Sequence, residues 1–111
     1  MPEGASIDVT PADLLDFLDR CLEPICIAGV DGYYKYLNPA WEGLLGWTCS
    51  ELLERPFLDF IHPDDHEATI REVAKVAGGS PTLQFENRYR CSDGSYKHLL
   101  WSGTAPQQMF V

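Results

Sequence analysis

The stretch from Gly29 to Asp65, GVDGYYKYLNPAWEGLLGWTCSELLERPFLDFIHPDD, constrains the fold more than any other part of the chain. Start and stop signals recur every few residues, so neither a long helix nor a long strand fits. Val30-Asp31-Gly32 offers a turn, because Asp-Gly supplies the positive φ angles that tight hairpins require. The aromatic-rich run Tyr33–Leu37 then reads as a strand pairing back onto Ile25–Val30. Asn38-Pro39 ends that strand and opens a helix: Asn38 is expected to cap it, and Pro39 sits where its missing N–H costs nothing. Trp41, Leu44 and Leu45 share a face at i, i+3, i+4, and Gly46 supplies a left-handed stop. Thr48 and Glu51 have the spacing of a capping box for the next short helix. Pro56 breaks that helix, Phe57–Ile61 is apolar, and His62-Pro63-Asp64-Asp65 opens another. The expectation is a hairpin feeding a string of one- to two-turn helices.

The flanks supply the longer elements. Residues 1–9 have no periodicity and read as a flexible lead-in. An amphipathic helix is expected over 10–23, started by Thr10, Pro11 and Asp13, with Leu14, Leu15, Phe17, Leu18, Cys21 and Leu22 on one arc. The remaining residues, 24–111, form the core. A helix over Pro63–Ala77 carries Asp64 and Asp65 in its first turn, where carboxylates favour the positive end of the dipole. Ile70, Val73 and Ala77 lie on one face of it, and Gly78-Gly79 ends it. Thr82–Cys91 alternates, placing Leu83, Phe85, Asn87, Tyr89 and Cys91 on one face and Gln84, Glu86, Arg88 and Arg90 on the other. Ser92-Asp93-Gly94 turns the chain into a strand over Ser95–Ala105, and Met109-Phe110-Val111 begins a last one. Bulky residues on both faces of Tyr96–Trp101 imply a sheet covered on both sides. The fold class is α+β: about five antiparallel strands, short helices on one face and an N-terminal amphipathic helix.

Charge and cysteine usage narrow the function. The formal net charge of −9 over 111 residues argues against a nucleic-acid surface, which needs basic phosphate contacts, and against docking on an anionic membrane. No apolar run is long enough to span a bilayer and no signal peptide is present, so a cytoplasmic location is expected. The four cysteines, Cys21, Cys26, Cys49 and Cys91, have neither CxxC nor zinc-type spacing.

In order and spacing, Asp31-Gly32, Tyr36-Leu37-Asn38-Pro39-Ala40-Trp41, Leu44-Leu45-Gly46-Trp47, Glu51-Leu52-Leu53 and Phe60-Ile61-His62-Pro63-Asp64-Asp65 resemble the PAS domain family. Phe85-Glu86-Asn87-Arg88-Tyr89-Arg90 and Asp93-Gly94-Ser95-Tyr96, followed by Trp101, are similar to the family's late strands. The resemblance covers roughly Pro24 to Val111. It implies a sensory input domain of bacterial signalling proteins, such as sensor histidine kinases of two-component systems, relaying a small ligand or a partner to an output module of the same polypeptide. The alternatives are a ligand-free dimerisation or docking module and a haem-binding redox or gas sensor. In the family the last strand continues to an Asp-Ile-Thr motif and an output helix. Neither is present here, so that strand is expected to be truncated.

Asn87 is the sharpest candidate residue, a polar side chain between Phe85 and Tyr89 on the apolar face of its strand. It either faces a cavity and bonds a ligand, or bonds backbone or buried water. A ligand pocket would be lined by Asn87, Phe85, Tyr89, Ile70 and Val73, with Trp41 or Trp101. His66 is the one haem candidate, because some haem-binding relatives use a histidine of this helix, though farther along it. Haem is disfavoured on that ground. Flavin is disfavoured because Cys49, in Trp-Thr-Cys-Ser, lacks the Asn-Cys-Arg context of the light-sensing branch. His62, Asp64, Asp65 and His66 are metal-ligand types, but Pro63 spoils the i, i+4 geometry and no metal is expected. No nucleophile elbow, phosphate loop or kinase signature is present, so no catalytic role is expected. The arc of Leu14, Leu15, Phe17, Leu18, Cys21 and Leu22 is the candidate homodimer interface.

Overall fold

A computed structural model describes residues 9–104; the strand expected at Met109–Val111 and nearly all of the lead-in lie outside the described residues. The elements run α1 (Pro11–Arg20), β1 (Cys26–Ala28), β2 (Tyr34–Leu37), α2 (Ala40–Leu45), α3 (Cys49–Glu54), α4 (His66–Ala77), β3 (Thr82–Arg90) and β4 (Tyr96–Gly103). Two single turns of 3-10 helix, Phe57–Phe60 and Pro63–Asp65, lie between α3 and α4.

The local signals of the central stretch form as the residues dictate. Asp31 accepts from the Tyr33 amide at 3.1 Å and Gly32 takes φ +89°, which closes the β1–β2 turn. Gly46 ends α2 at φ +85°, packed so closely on Ser92 that a side chain there would collide with its hydroxyl. The Thr48–Glu51 capping box is closed in both directions, and so is a Thr10–Asp13 box on α1. Asn38 departs from expectation: it caps nothing. Its Oδ1 accepts from the Ile25 amide at 2.8 Å, and its Nδ2 donates to the carbonyls of Glu23, Leu18 and Cys21. A buried amide with both donors and its acceptor engaged by the chain between α1 and β1 is worth more there than at an exposed helix start.

The described residues form two antiparallel two-stranded sheets, β1–β2 and β3–β4, in place of one five-stranded sheet. Among them neither hairpin pairs with a third strand, so both strands of each keep an outer edge without a ladder, apart from a single Ile61–Tyr89 bridge on β3. The β3–β4 ladder carries an irregularity: Thr82 faces Gly103 and Phe85 faces Trp101, so β3 spends one residue more than β4. That bulge reverses the alternation at the start of β3. Thr82 turns inward and is buried, while Leu83 faces solvent, against the simple pattern of the sequence.

The core is aromatic. Tyr34, Leu37, Trp41, Leu45, Leu52, Phe57, Phe60, Ile61, Tyr89 and Cys91 bury one another under the short helices. The Tyr34 and Tyr89 hydroxyls meet at 2.8 Å, and Trp47 donates to the Arg90 carbonyl at 2.9 Å, so the rings bury without orphaned polar atoms. The start of α4 is fastened to β3 by Asp65. Its carboxylate accepts from the Arg88 amide (2.8 Å), Nε (3.0 Å) and a terminal guanidinium nitrogen (2.8 Å).

Two expectations of coverage fail within the chain. None of the residues of α1 is buried, and Phe17 is 63% exposed. Among the described residues the side-chain hydrogen bonds tying the helix to the core lie at its C-terminal side, from Asn38 and from the Tyr36 hydroxyl donating to Asp19 at 2.6 Å, and its apolar face is not covered by the sheet. The outer face of β4 is likewise bare, with Leu100 68% exposed.

Candidate functional site

Beside the sealed core lies a cavity of about 370 Å³, within the range of small-molecule sites. One wall is the inward face of α4, built from Thr69, Glu72, Val73, Val76 and Ala77. The i, i+3, i+4, i+7 spacing of the first four puts them on a single stripe. Opposite stand Thr82, Phe85 and Asn87 of β3 with Trp101 of β4, and Tyr34 and Phe57 lie on the border with the core. The third side has a different character. Consecutive residues, Cys26 to Val30 and Trp101 to Thr104, line it. Neighbouring strand residues point to opposite faces, so a wall made of consecutive residues is a strand seen edge-on. The cavity therefore runs along the unpaired edges of β1 and β4.

Of the expected pocket residues, Phe85, Asn87, Val73 and Trp101 line this cavity. Tyr89 and Trp41 do not: both are packed into the core beneath it, with ring centroids 6.2 Å apart. Ile70 does not either. It is 54% exposed, one residue off the inward stripe. The apolar periodicity of the helix pointed to Ile70 because it counted only hydrophobic residues. The structure turns Thr69 and Glu72 inward, where Asn87 and Thr82 give them hydrogen bonds.

Asn87 is 3% exposed and its partners are side chains. Its Oδ1 accepts from the Trp101 indole N–H at 2.7 Å, and its Nδ2 donates to Thr69 Oγ1 at 3.2 Å. It fixes the floor of the cavity by joining β3, β4 and α4. His66 is not part of the cavity wall. Its Nε2 lies 2.8 Å from the Ile61 carbonyl, so the ring fastens the helix start to the preceding bridge. His62 Nδ1 accepts from the Asp64 amide at 3.1 Å. Among the described residues no three His, Cys, Asp or Glu side chains converge as a metal-ligand set. Burial pushes the Cys26 thiol on the cavity wall up to about 12, which keeps it protonated and poorly nucleophilic. Burial raises the Tyr34 hydroxyl well above the ordinary tyrosine range too.

Pattern reading missed Thr69, Glu72, Thr82 and the edge residues of β1 and β4. Thr69 and Glu72 share their stripe with Val73 and Val76, so the signal for them was there. The bulge that turns Thr82 inward has no counterpart in the alternation.

The class follows from the architecture: an α+β domain in which an antiparallel sheet face and one interior helix enclose a ligand-sized cavity above an aromatic core. The family model for the PAS fold matches residues 34–108, more than half the chain, and the chain belongs to the PAS family. Solved structures agree on the fold. A domain of a sensory box sensor histidine kinase/response regulator from Geobacter sulfurreducens superposes with TM-score 0.75 at 21% identity, over 87% of this chain and 84% of that one. The PAS domain of a protein from Colwellia psychrerythraea gives 0.67 at 20% identity, over 80% and 75%. That of an HTR-like protein from Haloarcula marismortui gives 0.64 at 24% identity, over 80% and 73%. No curated protein sequence matches the chain. No helix among the described residues is long and apolar enough to cross a membrane.

Proposed function

We propose that this PAS domain is a non-catalytic sensory input module, of the kind found in sensor histidine kinases, that binds a small molecule in the cavity beneath α4 and relays its presence to an output module. The observation that carries this reading is the contrast within one sheet face: Tyr89 is sealed, whereas Phe85 and Asn87 border about 370 Å³ of largely apolar space. A ligand there touches α4 and both hairpins at once. It can therefore favour one arrangement of the sheets over another, which is the condition for a binding event to be transmitted. Native mass spectrometry of freshly purified protein tests the reading. A co-purifying small molecule lost in Val73→Trp supports it, and a wild type that neither retains nor accepts any small molecule contradicts it.

The unpaired edges of β1 and β4 along the cavity support a fifth strand between them, which would join the two hairpins into one five-stranded antiparallel sheet. Such a strand would occupy the edge-on side and leave the α4 side open to a ligand.

The bare apolar face of α1 supports a second part of the proposal, a homodimer through Leu14, Leu15, Phe17, Leu18, Cys21 and Leu22. The sheet does not cover that face, so a second copy is the surface that would cover it. A domain that dimerises with no ligand is the competing reading favoured by the same face. Leu18→Glu is expected to turn a dimer into a folded monomer by light scattering, with near-ultraviolet dichroism from the core tryptophans unchanged. A wild-type domain monomeric at high micromolar concentration contradicts the dimer.

A further inference from the structure

Among the described residues, the cavity wall holds no lysine, arginine or histidine, and its one charged side chain is Glu72. That carboxylate is unevenly used. Thr82 Oγ1 donates to Oε2 at 2.6 Å, and Lys75 Nζ, outside the wall, lies 2.9 Å from the same oxygen. No described residue donates to Oε1. The other polar groups of this wall are spent on one another, Asn87 on Trp101 and on Thr69. The bonds from Thr82 and Lys75 hold the Glu72 carboxyl below the usual glutamate range, so it is ionised at neutral pH. The cavity thus joins an anionic acceptor with an unused oxygen to a wall carrying Tyr34, Phe57, Phe85 and Trp101.

The charge balance selects among ligands. An organic anion entering here would give up water for an apolar wall and meet a carboxylate whose paired cation, Lys75, lies outside the wall on Oε2. A neutral molecule would leave Oε1 with no more than a neutral donor. An ammonium gains a charge-assisted hydrogen bond while its apolar body meets the aromatic wall. We propose that the cavity takes an organic cation, an amine on an aromatic or aliphatic body, with Glu72 as its counter-ion and the aromatic wall against its apolar part. The proposal rests on the reading of this cavity as a ligand site and adds the ligand's chemical class.

The test is an amide-resolved NMR titration of the isotopically labelled protein with phenethylamine, 2-phenylethanol and phenylacetate, which share one ring and differ in charge. The expected result is saturable shifts along α4 and the Phe85–Asn87 segment for the amine and the alcohol, the amine binding about tenfold more tightly, and none for the acid. Glu72→Gln keeps an acceptor for Thr82 and should bring the amine to the level of the alcohol without changing the alcohol. Val76→Phe fills the cavity and should remove both. An amine that binds no more tightly than the alcohol, or whose advantage survives Glu72→Gln, overturns the ligand class; binding of the alcohol then leaves the ligand-site reading standing. If none of the probes moves the wall resonances of the wild type, the class and the site both fall.

Discussion

The inward face of β3 has two halves that differ in what lies over them. At the Tyr89 end, short helices cap the strand, and Tyr89, Phe60 and Trp41 pack with ring centroids about 6 Å apart. At the Phe85 end the cover is one helix whose facing stripe mixes Thr69 and Glu72 with two valines, and it stands off from the strand. The same strand thus contributes to stability at one end and encloses empty volume at the other. The difference comes from side-chain size and polarity on the covering element. Two aromatic rings from the central stretch, Trp41 and Phe60, fill their half against Tyr89, and small or polar residues of α4 do not fill theirs.

The largest effect that would sharpen this contrast is expected in the sealed half. Trp41→Ala removes a fully buried ring and its indole bond to the Ile25 carbonyl at 3.0 Å. It should cost about 3–5 kcal/mol, a large share of a small domain's stability, read as a lowered urea midpoint. A loss below about 1 kcal/mol would mean that the two halves do not differ as described.

Next comes the clamp that holds the start of α4 over β3. The hydrogen bonds and charge of Arg88 hold the Asp65 carboxyl down at about 2. A carboxylate depressed on folding stabilises the fold above its unfolded value and loses that contribution as the pH falls through the folded one. With the side chain 20% exposed, about 1–2 kcal/mol is expected at neutral pH, fading between roughly pH 4 and pH 2. Asp65→Asn should therefore lower the urea midpoint at neutral pH, and the gap to wild type should narrow over that acid window. A gap that is constant with pH would rule out the ion pair as its source.

The smallest effect separates neighbours on α4. Ile70→Ala, on the exposed side, should change stability by no more than about 0.5 kcal/mol and leave probe binding intact. A loss of binding there would place the site on the wrong face of the helix.

These two halves were also unequally legible in the sequence. The hairpin turn, the Gly46 stop, the Thr48 capping box, the break at Pro56 and the helical opening at Pro63 are local, set by residues within a few positions of one another. They form where their signals stand. What failed depends on distant partners. Asn38 has the right residue type for a cap, but Ile25 and Glu23 outbid the helix start for its amide. The inward stripe of α4 is fixed by Thr82 and Asn87, 10 and 18 residues along the chain from their partners, and the β3 bulge by pairing with β4. Phe85, Val73 and Trp101 were legible as site residues because each is apolar on an inward-reading face, and Asn87 because it is polar on one. Glu72 shares its stripe with Val73 and Val76, but a glutamate on an amphipathic helix is ordinarily in water, so its residue type masked what its position offered.

Xenon tests the division of the sheet face most directly, because it collects against apolar cavity walls and is excluded from packed cores. Methyl-resolved NMR of the domain under xenon pressure should show saturable shifts for Val73, Val76 and Ala77 on the cavity wall. Leu45 and Leu52, in the sealed half, should not move. Uniform shifts across both groups, or none in either, would contradict the account.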